Sequence, residues 1–217
     1  MDVRWVNSHY QAGKNLFNHW KVLVHFFAEL IVTPRLEAQK KEKVREILNI
    51  LLNRNAISLL AFQIDLQSVF KAVSLEVQEK HSSFLGQSAK KGQIIDGLNR
   101  IGHDRGYYMY KVLREFECVG IGNQNFQPCG SIANLESAAI VRWEGFELIV
   151  VNEANFEKIS TIKDFYLETL VNNVEFYLPT DAMMRVFRWS TFVLVCFCWL
   201  WNLMSYVKTM LLCCRCP

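Results

Sequence analysis

The chain has 217 residues, of which 51% are hydrophobic and 21% charged, and its formal net charge is +3. That length suits one domain with a membrane anchor and excludes two large domains. Four of the 24 basic residues and none of the 21 acidic ones follow Met184, which leaves 20 basic and 21 acidic residues before it. The larger part is therefore almost neutral, whereas nucleic-acid binding needs a basic face to neutralise phosphates. We therefore predict no nucleic-acid partner.

Apolar residues recur at three- and four-residue steps along most of the chain. This spacing predicts helices over residues 10–33, 35–55, 56–79, 94–118 and 155–178. The apolar centre of the first one is too short to cross a membrane and contains His25 and Glu29, so we expect a core helix. Residues 81–92 have no such period, and their composition predicts a loop.

The sequence GHDRG, with Gly102 and Gly106 at its ends, predicts a break between two helices inside residues 94–118. A cluster of tyrosines follows directly. Tyr107 and Tyr110 stand three residues apart, which places them on one side of a helix. We interpret them as a candidate contact patch for a protein partner.

Residues 119–136 contain three of the ten glycines and one of the four prolines, which marks an internal boundary. The period then changes to that of strands over residues 138–143 and 146–151. Glu144 and Gly145 lie between these strands and predict a β-hairpin. An isolated hairpin is only marginally stable, so we expect it to pack on the helices or to pair with a third strand.

Near the C-terminus, the run from Trp189 to Val207 has 19 residues and no charged side chain. A helix of that length spans roughly 28 Å, close to the hydrocarbon thickness of a bilayer. The run predicts a transmembrane helix, with a buried core helix of a soluble protein as the alternative. Trp189 and Tyr206 lie at its edges, where aromatic rings suit the membrane interface, and Trp199 and Trp201 lie within it. The amide of Asn202 either hydrogen-bonds a partner helix or is hydrated near the interface.

The cysteines divide between two regions of the chain. Only Cys118 and Cys129 precede Met184, too few for a disulfide framework, and this predicts a reducing compartment. The tail after the apolar run contains Cys213, Cys214 and Cys216, which are candidates for S-acylation or for an intermolecular disulfide.

The charges beside the apolar run do not predict its orientation in the membrane, since two basic residues lie on each side: Arg185 and Arg188 before it, Lys208 and Arg215 after it. The orientation is therefore predicted from targeting signals. The first residues have no apolar signal-peptide core. We therefore expect a tail-anchored protein with its N-terminal domain in the cytosol, at the endoplasmic reticulum or the mitochondrial outer membrane. In this orientation the tail lies outside the cytosol. S-acylation of its cysteines requires the opposite orientation, so the two predictions conflict.

The predicted fold is mainly α, a helical bundle domain with a β-hairpin insertion and one C-terminal transmembrane helix. Four parts are expected: the bundle over residues 1–120, the hairpin plus a helix packed on it over 121–180, the anchor over 185–209 and the Cys-rich tail over 210–217. No P-loop, GxGxxG, GxSxG or HExxH motif occurs. No catalytic residue, metal ligand or cofactor is therefore predicted.

These features favour a non-enzymatic protein. Its domain is expected to bind other proteins at an organelle membrane. It would act as an adaptor or regulator, as a viral accessory protein or an apoptosis or immune regulator does. Its expected partners are the lipid bilayer and a protein, with a homo-oligomer as a further option. The alternatives are a membrane-attached enzyme and a structural protein that oligomerises through its Cys- and Trp-rich helix.

Overall fold

The computed structural model describes residues 4–34, 36–78, 84–103, 106–120, 125–150 and 158–177. This part of the chain is mainly helical with a small antiparallel sheet, as the sequence predicts. The elements, in chain order, are α1 (Arg4–Asn18), α2 (Trp20–Val32), α3 (Ala38–Leu51), α4 (Arg54–Gln78), α5 (Phe84–Gly102), α6 (Tyr107–Glu115), β1 (Glu117–Val119), β2 (Gln127–Pro128), α7 (Ile132–Ser137), β3 (Ile140–Trp143), β4 (Phe146–Leu148) and α8 (Ile159–Tyr177).

Helix α4 is the centre of the core. Its residues Phe62, Ile64 and Leu66 are fully buried, and α1, α5 and α6 all pack on it. Its first turn is capped by Asn53, whose side-chain oxygen accepts the N–H groups of Asn55 at 2.8 Å and Ala56 at 3.1 Å. Asparagine is among the strongest helix N-caps because its oxygen satisfies donors that the helix leaves free.

The sheet has the strand order β2-β1-β3-β4, with every neighbouring pair antiparallel. Strands β3 and β4 form the predicted hairpin, and its turn residues Glu144 and Gly145 both have positive φ, at 52° and 87°. That geometry matches the right-handed twist of the strands. The hairpin is therefore part of a four-stranded sheet. Pairing with a third strand is one of the two expectations for it, although the sequence does not predict β1 itself as a strand.

An aromatic cluster joins the sheet to the helices. The Trp20 ring of α2 is stacked on the Trp143 ring of β3 with centroids 4.4 Å apart. The indole N–H of Trp20 also donates to the carbonyl of Leu51 at 2.7 Å. Phe17 and Phe116 contact the same Trp143 ring, with centroids 5.2 and 5.3 Å away. These rings fix the start of α2, the end of α3 and the sheet in one core.

Three predicted elements are wrong in their bounds. Residues 10–33 contain two helices, because His19, with φ −106° and ψ 13°, interrupts the helical backbone. Residues 84–92 belong to α5 rather than to a loop: the second half of that helix is stabilised by burial of Ile94 and Leu98, and the polar first half continues it. Residues 117 and 118 are in strand β1, where pairing with β3 overrides the helical apolar period.

The outer side of α2 also differs from the core helix that we expected. Trp20 and Val24 are buried, but Val22, Phe26 and Val32 are 65%, 55% and 75% exposed. Among the described helices none is long and apolar enough to cross a membrane. The predicted span, residues 189–207, lies outside the described residues.

Candidate interaction surface

Helix α6 has a buried side and an exposed side. The buried side consists of Tyr108, Met109, Val112 and Leu113. On the other side Tyr107 is 70% and Tyr110 57% exposed. Arg114 is exposed as well. Steps of three and four residues put these three exposed side chains in one row along the helix. We call this row the α6 surface (Tyr107, Tyr110 and Arg114).

The start of α6 is held by Asp65, a carboxylate of α4 that is only 3% exposed. Its two oxygens accept the backbone N–H groups of Tyr108 at 3.0 Å and Met109 at 2.8 Å. Free N–H groups and the positive end of the helix dipole favour a negative charge at this place. Asp65 therefore fixes the first turn of α6, and with it the position of Tyr107 and Tyr110.

Gly106 precedes α6 and lies directly against Asp65. A Cβ atom at this position would meet the Asp65 carboxylate, with Cγ only 2.6 Å away. Its φ of −67° is open to any residue, so the requirement for glycine here is one of space. The close approach lets the carboxylate reach the helix N–H groups.

Burial has a measurable effect on the acid–base properties of this contact. It raises the pKa of Asp65 to about 6, and the N–H donors of Tyr108, Met109 and Tyr107 offset only part of that rise. The neighbouring Tyr108 hydroxyl is affected as well: burial and then the nearby Tyr10 raise its pKa to about 12. The Asp65 carboxyl therefore has a pKa of about 6, and the Tyr108 hydroxyl keeps its proton at pH 7.

Cys118 and Cys129 are bonded as a disulfide, with Cα atoms 5.3 Å apart. Two cysteines in this part of the chain are too few for a disulfide framework, and they form a single bond. The reducing compartment that is expected from their number stays a prediction. They are 11 positions apart in the sequence, but β1 and β2 are antiparallel neighbours, and Cys118 pairs with Gln127 two residues before Cys129. Sequence spacing alone does not show this pairing, since it depends on the strand register.

The remaining predicted site residues fall in two groups. Tyr107 and Tyr110 are exposed, as a contact patch requires, and binding by them stays a prediction. The span and tail residues lie outside the described part of the chain; they are Trp189, Trp199, Trp201, Asn202, Tyr206, Cys213, Cys214 and Cys216. Among the described residues, no group of three or more His, Cys, Asp or Glu side chains could hold a metal ion.

Buried and half-buried polar residues that hold helix ends in place are not predicted from the sequence. The Lys163 amine of α8 donates to the carbonyl of Gly102 at 3.0 Å. The Glu136 carboxylate accepts the Ser160 N–H at 2.7 Å, at the start of the same helix. A signal existed for Asp65, which stands three residues after Phe62 on the apolar side of α4. Arg54, about three turns earlier in the same helix, is buried as well.

Comparison of the chain with protein-family models, with curated proteins and with solved structures finds no match. Its function is therefore inferred from the residues of this chain alone.

Proposed function

We propose that the protein is a membrane-anchored interaction protein, whose helical domain binds another protein through the α6 surface. The observation that carries the proposal is the exposure of two tyrosines and an arginine in one row on a rigidly held helix. Tyrosine and arginine are enriched among the residues that dominate binding energy at protein interfaces. A tyrosine offers a large apolar area and a hydroxyl, and fixing it costs little side-chain entropy.

The anchoring of the helix supports the proposal. Tyr107 and Tyr110 extend from a backbone that Asp65 holds at its first turn and that four buried side chains hold along its length. A surface held in this way loses little conformational entropy on binding, so more of its contact energy appears as affinity. The exposed side of α6 is a better binding candidate than a loop with the same residues would be.

The membrane part of the proposal is supported by the sequence of residues 189–207, which has no charge and the length of a bilayer-spanning helix. Helix α8 ends at Tyr177, so only 11 residues separate its end from Trp189. At about 3.5 Å per extended residue, this connection cannot exceed roughly 40 Å. The α6 surface would then act close to the bilayer.

Replacing Tyr107 and Tyr110 together with alanine is expected to weaken partner binding at least tenfold. Two exposed aromatic contacts at the centre of an interface contribute about 2 kcal/mol or more. The partner is first captured with a photo-crosslinking amino acid placed at position 107 or 110 of the full chain in intact membranes. Its affinity for the substituted chain is then measured with the purified partner.

The matched control is Phe26→Ala, which removes an aromatic ring of similar exposure, 55%, from α2. This variant is expected to bind as the unsubstituted chain does. A crosslinker at position 26 that captures the partner while positions 107 and 110 capture nothing would contradict the α6 surface. That result would indicate that the partner binds the outer side of α2.

A further inference from the structure

The Cys118–Cys129 disulfide bears on the compartment in which the domain folds. Cys118 lies in β1, and Cys129 follows β2 with its N–H donating to the carbonyl of Phe116 at 2.9 Å. The two cysteines are 8% and 1% exposed. The bond therefore closes the β1–β2 segment from inside the core rather than from the surface.

The distribution of cysteines along the whole chain agrees with a structural role for this bond. The chain has seven cysteines, and both of those that precede Met184 are in the disulfide. Domains that fold in oxidising compartments pair their cysteines, whereas glutathione and thioredoxin keep cytosolic thiols reduced. A domain whose cysteines are all used in one buried disulfide fits an oxidising compartment.

The sequence of the tail fits the same arrangement. Cys213, Cys214 and Cys216 closely follow the apolar run. Cysteines next to a membrane span are sites of reversible S-acylation when they face the cytosol. With the domain on the opposite side, these three cysteines face the cytosol, and the conflict between the tail and the predicted cytosolic domain disappears. The flanking charges are balanced and favour neither orientation. The expectation of a cytosolic domain depends on the first residues of the sequence, which have no apolar signal-peptide core.

We propose that the described domain lies on the non-cytosolic side of the membrane, in a lumen or outside the cell, with the cysteine-rich tail in the cytosol. The orientation rests on the proposed membrane anchoring. The two thiols exchange with the disulfide of a thiol oxidoreductase: a Cys118–Cys129 bond forms, and the oxidoreductase leaves as a dithiol with the two protons and two electrons. The partner of the α6 surface is then a lumenal or extracellular protein.

An introduced glycosylation site tests the orientation in the full chain. The natural sequence has no N-x-S/T site, so an added one is the sole acceptor. The double substitution Glu37→Asn and Gln39→Thr creates a site at the exposed start of α3, where asparagine is also a good N-cap. We expect slower migration that endoglycosidase treatment reverses, and no change in the control Glu37→Asn with Gln39→Ala.

Two further measurements on the same membranes cover the case in which the site is inaccessible to the transferase. Added protease is expected to leave the domain intact until detergent opens the vesicles. Peptide mapping is expected to find Cys118 and Cys129 alkylated only after reduction. Digestion of the domain in sealed vesicles, or free thiols at both positions without reductant, would overturn the proposal. If the proposal is overturned in this way, retention of the chain in the membrane pellet during carbonate extraction would show that it is still membrane-anchored, with its domain in the cytosol.

Discussion

Replacing Trp20 with alanine is expected to lower the free energy of unfolding by about 4 kcal/mol, as removal of a large buried ring commonly does. Trp20 is 2% exposed and stacked on Trp143, and its other contact is the edge of Phe146 at 5.6 Å between centroids. The substitution also leaves the Leu51 carbonyl without its indole donor. The contacts through which Trp20 joins α2 to α3 and to the sheet are therefore lost.

Urea denaturation of the detergent-solubilised full chain, followed by circular dichroism, measures this change. Trp20→Phe keeps much of the ring contact and removes the hydrogen bond, so its expected cost is about 1–2 kcal/mol. Phe26→Ala, on the exposed side of the same helix, should change stability by no more than about 0.5 kcal/mol. Equal effects of Trp20→Ala and Phe26→Ala would show that the aromatic junction does not stabilise the domain.

Lowering the pH from 7 to 4 is expected to stabilise the natural chain relative to Asp65→Asn by about 2–3 kcal/mol, at roughly 1.4 kcal/mol per pKa unit. The pKa of Asp65 is raised from 3.8 to about 6 in the folded chain, mainly by burial. The folded state therefore holds the proton more tightly than the unfolded state. This contribution to stability is complete below pH 3.8 and is lost as the pH rises through 6.

The comparison with Asp65→Asn matters because other carboxyl groups also titrate in this pH range. Both chains share those groups, so the difference between their denaturation curves isolates Asp65. A stability difference that does not change between pH 7 and pH 4 would contradict a raised pKa. A difference that grows in the opposite direction would show that the N–H groups of α6 outweigh the cost of burial.

The sequence predicts the helical content because apolar side chains at helical spacing determine which side of each helix is buried. The hairpin is predicted correctly for a local reason, since Glu144 and Gly145 form a two-residue turn between alternating strands. The other two strands are not predicted. Strand β1 has three residues and β2 has two. Such short strands form only because each finds an edge for pairing, β1 on β3 and β2 on β1.

The candidate site could be predicted in part. The spacing of Tyr107 and Tyr110 after a helix break identifies two of the three residues of the α6 surface. Their support is not visible in the sequence, because Asp65 precedes Tyr108 by 43 positions and the contact depends on how α4 and α6 cross. The same holds for the disulfide, whose partners meet through the β1–β2 register rather than through a spacing motif.

The proposed roles are connected by the structure of α6. Asp65 and Gly106 fix the start of the helix, the buried side chains hold it on α4, and the tyrosines remain outside for a partner. The disulfide closes the strands that directly follow α6. If the proposed anchoring holds, this surface lies close to the membrane and suits capture of another membrane-associated protein.

Alkaline carbonate extraction of membranes that contain the full chain tests the membrane anchoring most directly. We expect the natural chain to stay in the membrane pellet. Lysines in place of Phe197 and Leu200, near the middle of the run, should release it, since each costs about 3 kcal/mol at the centre of a span. Ser190→Lys, at the edge where a lysine reaches the headgroups, should stay in the pellet. Release of the natural chain by carbonate would contradict a membrane-anchored protein.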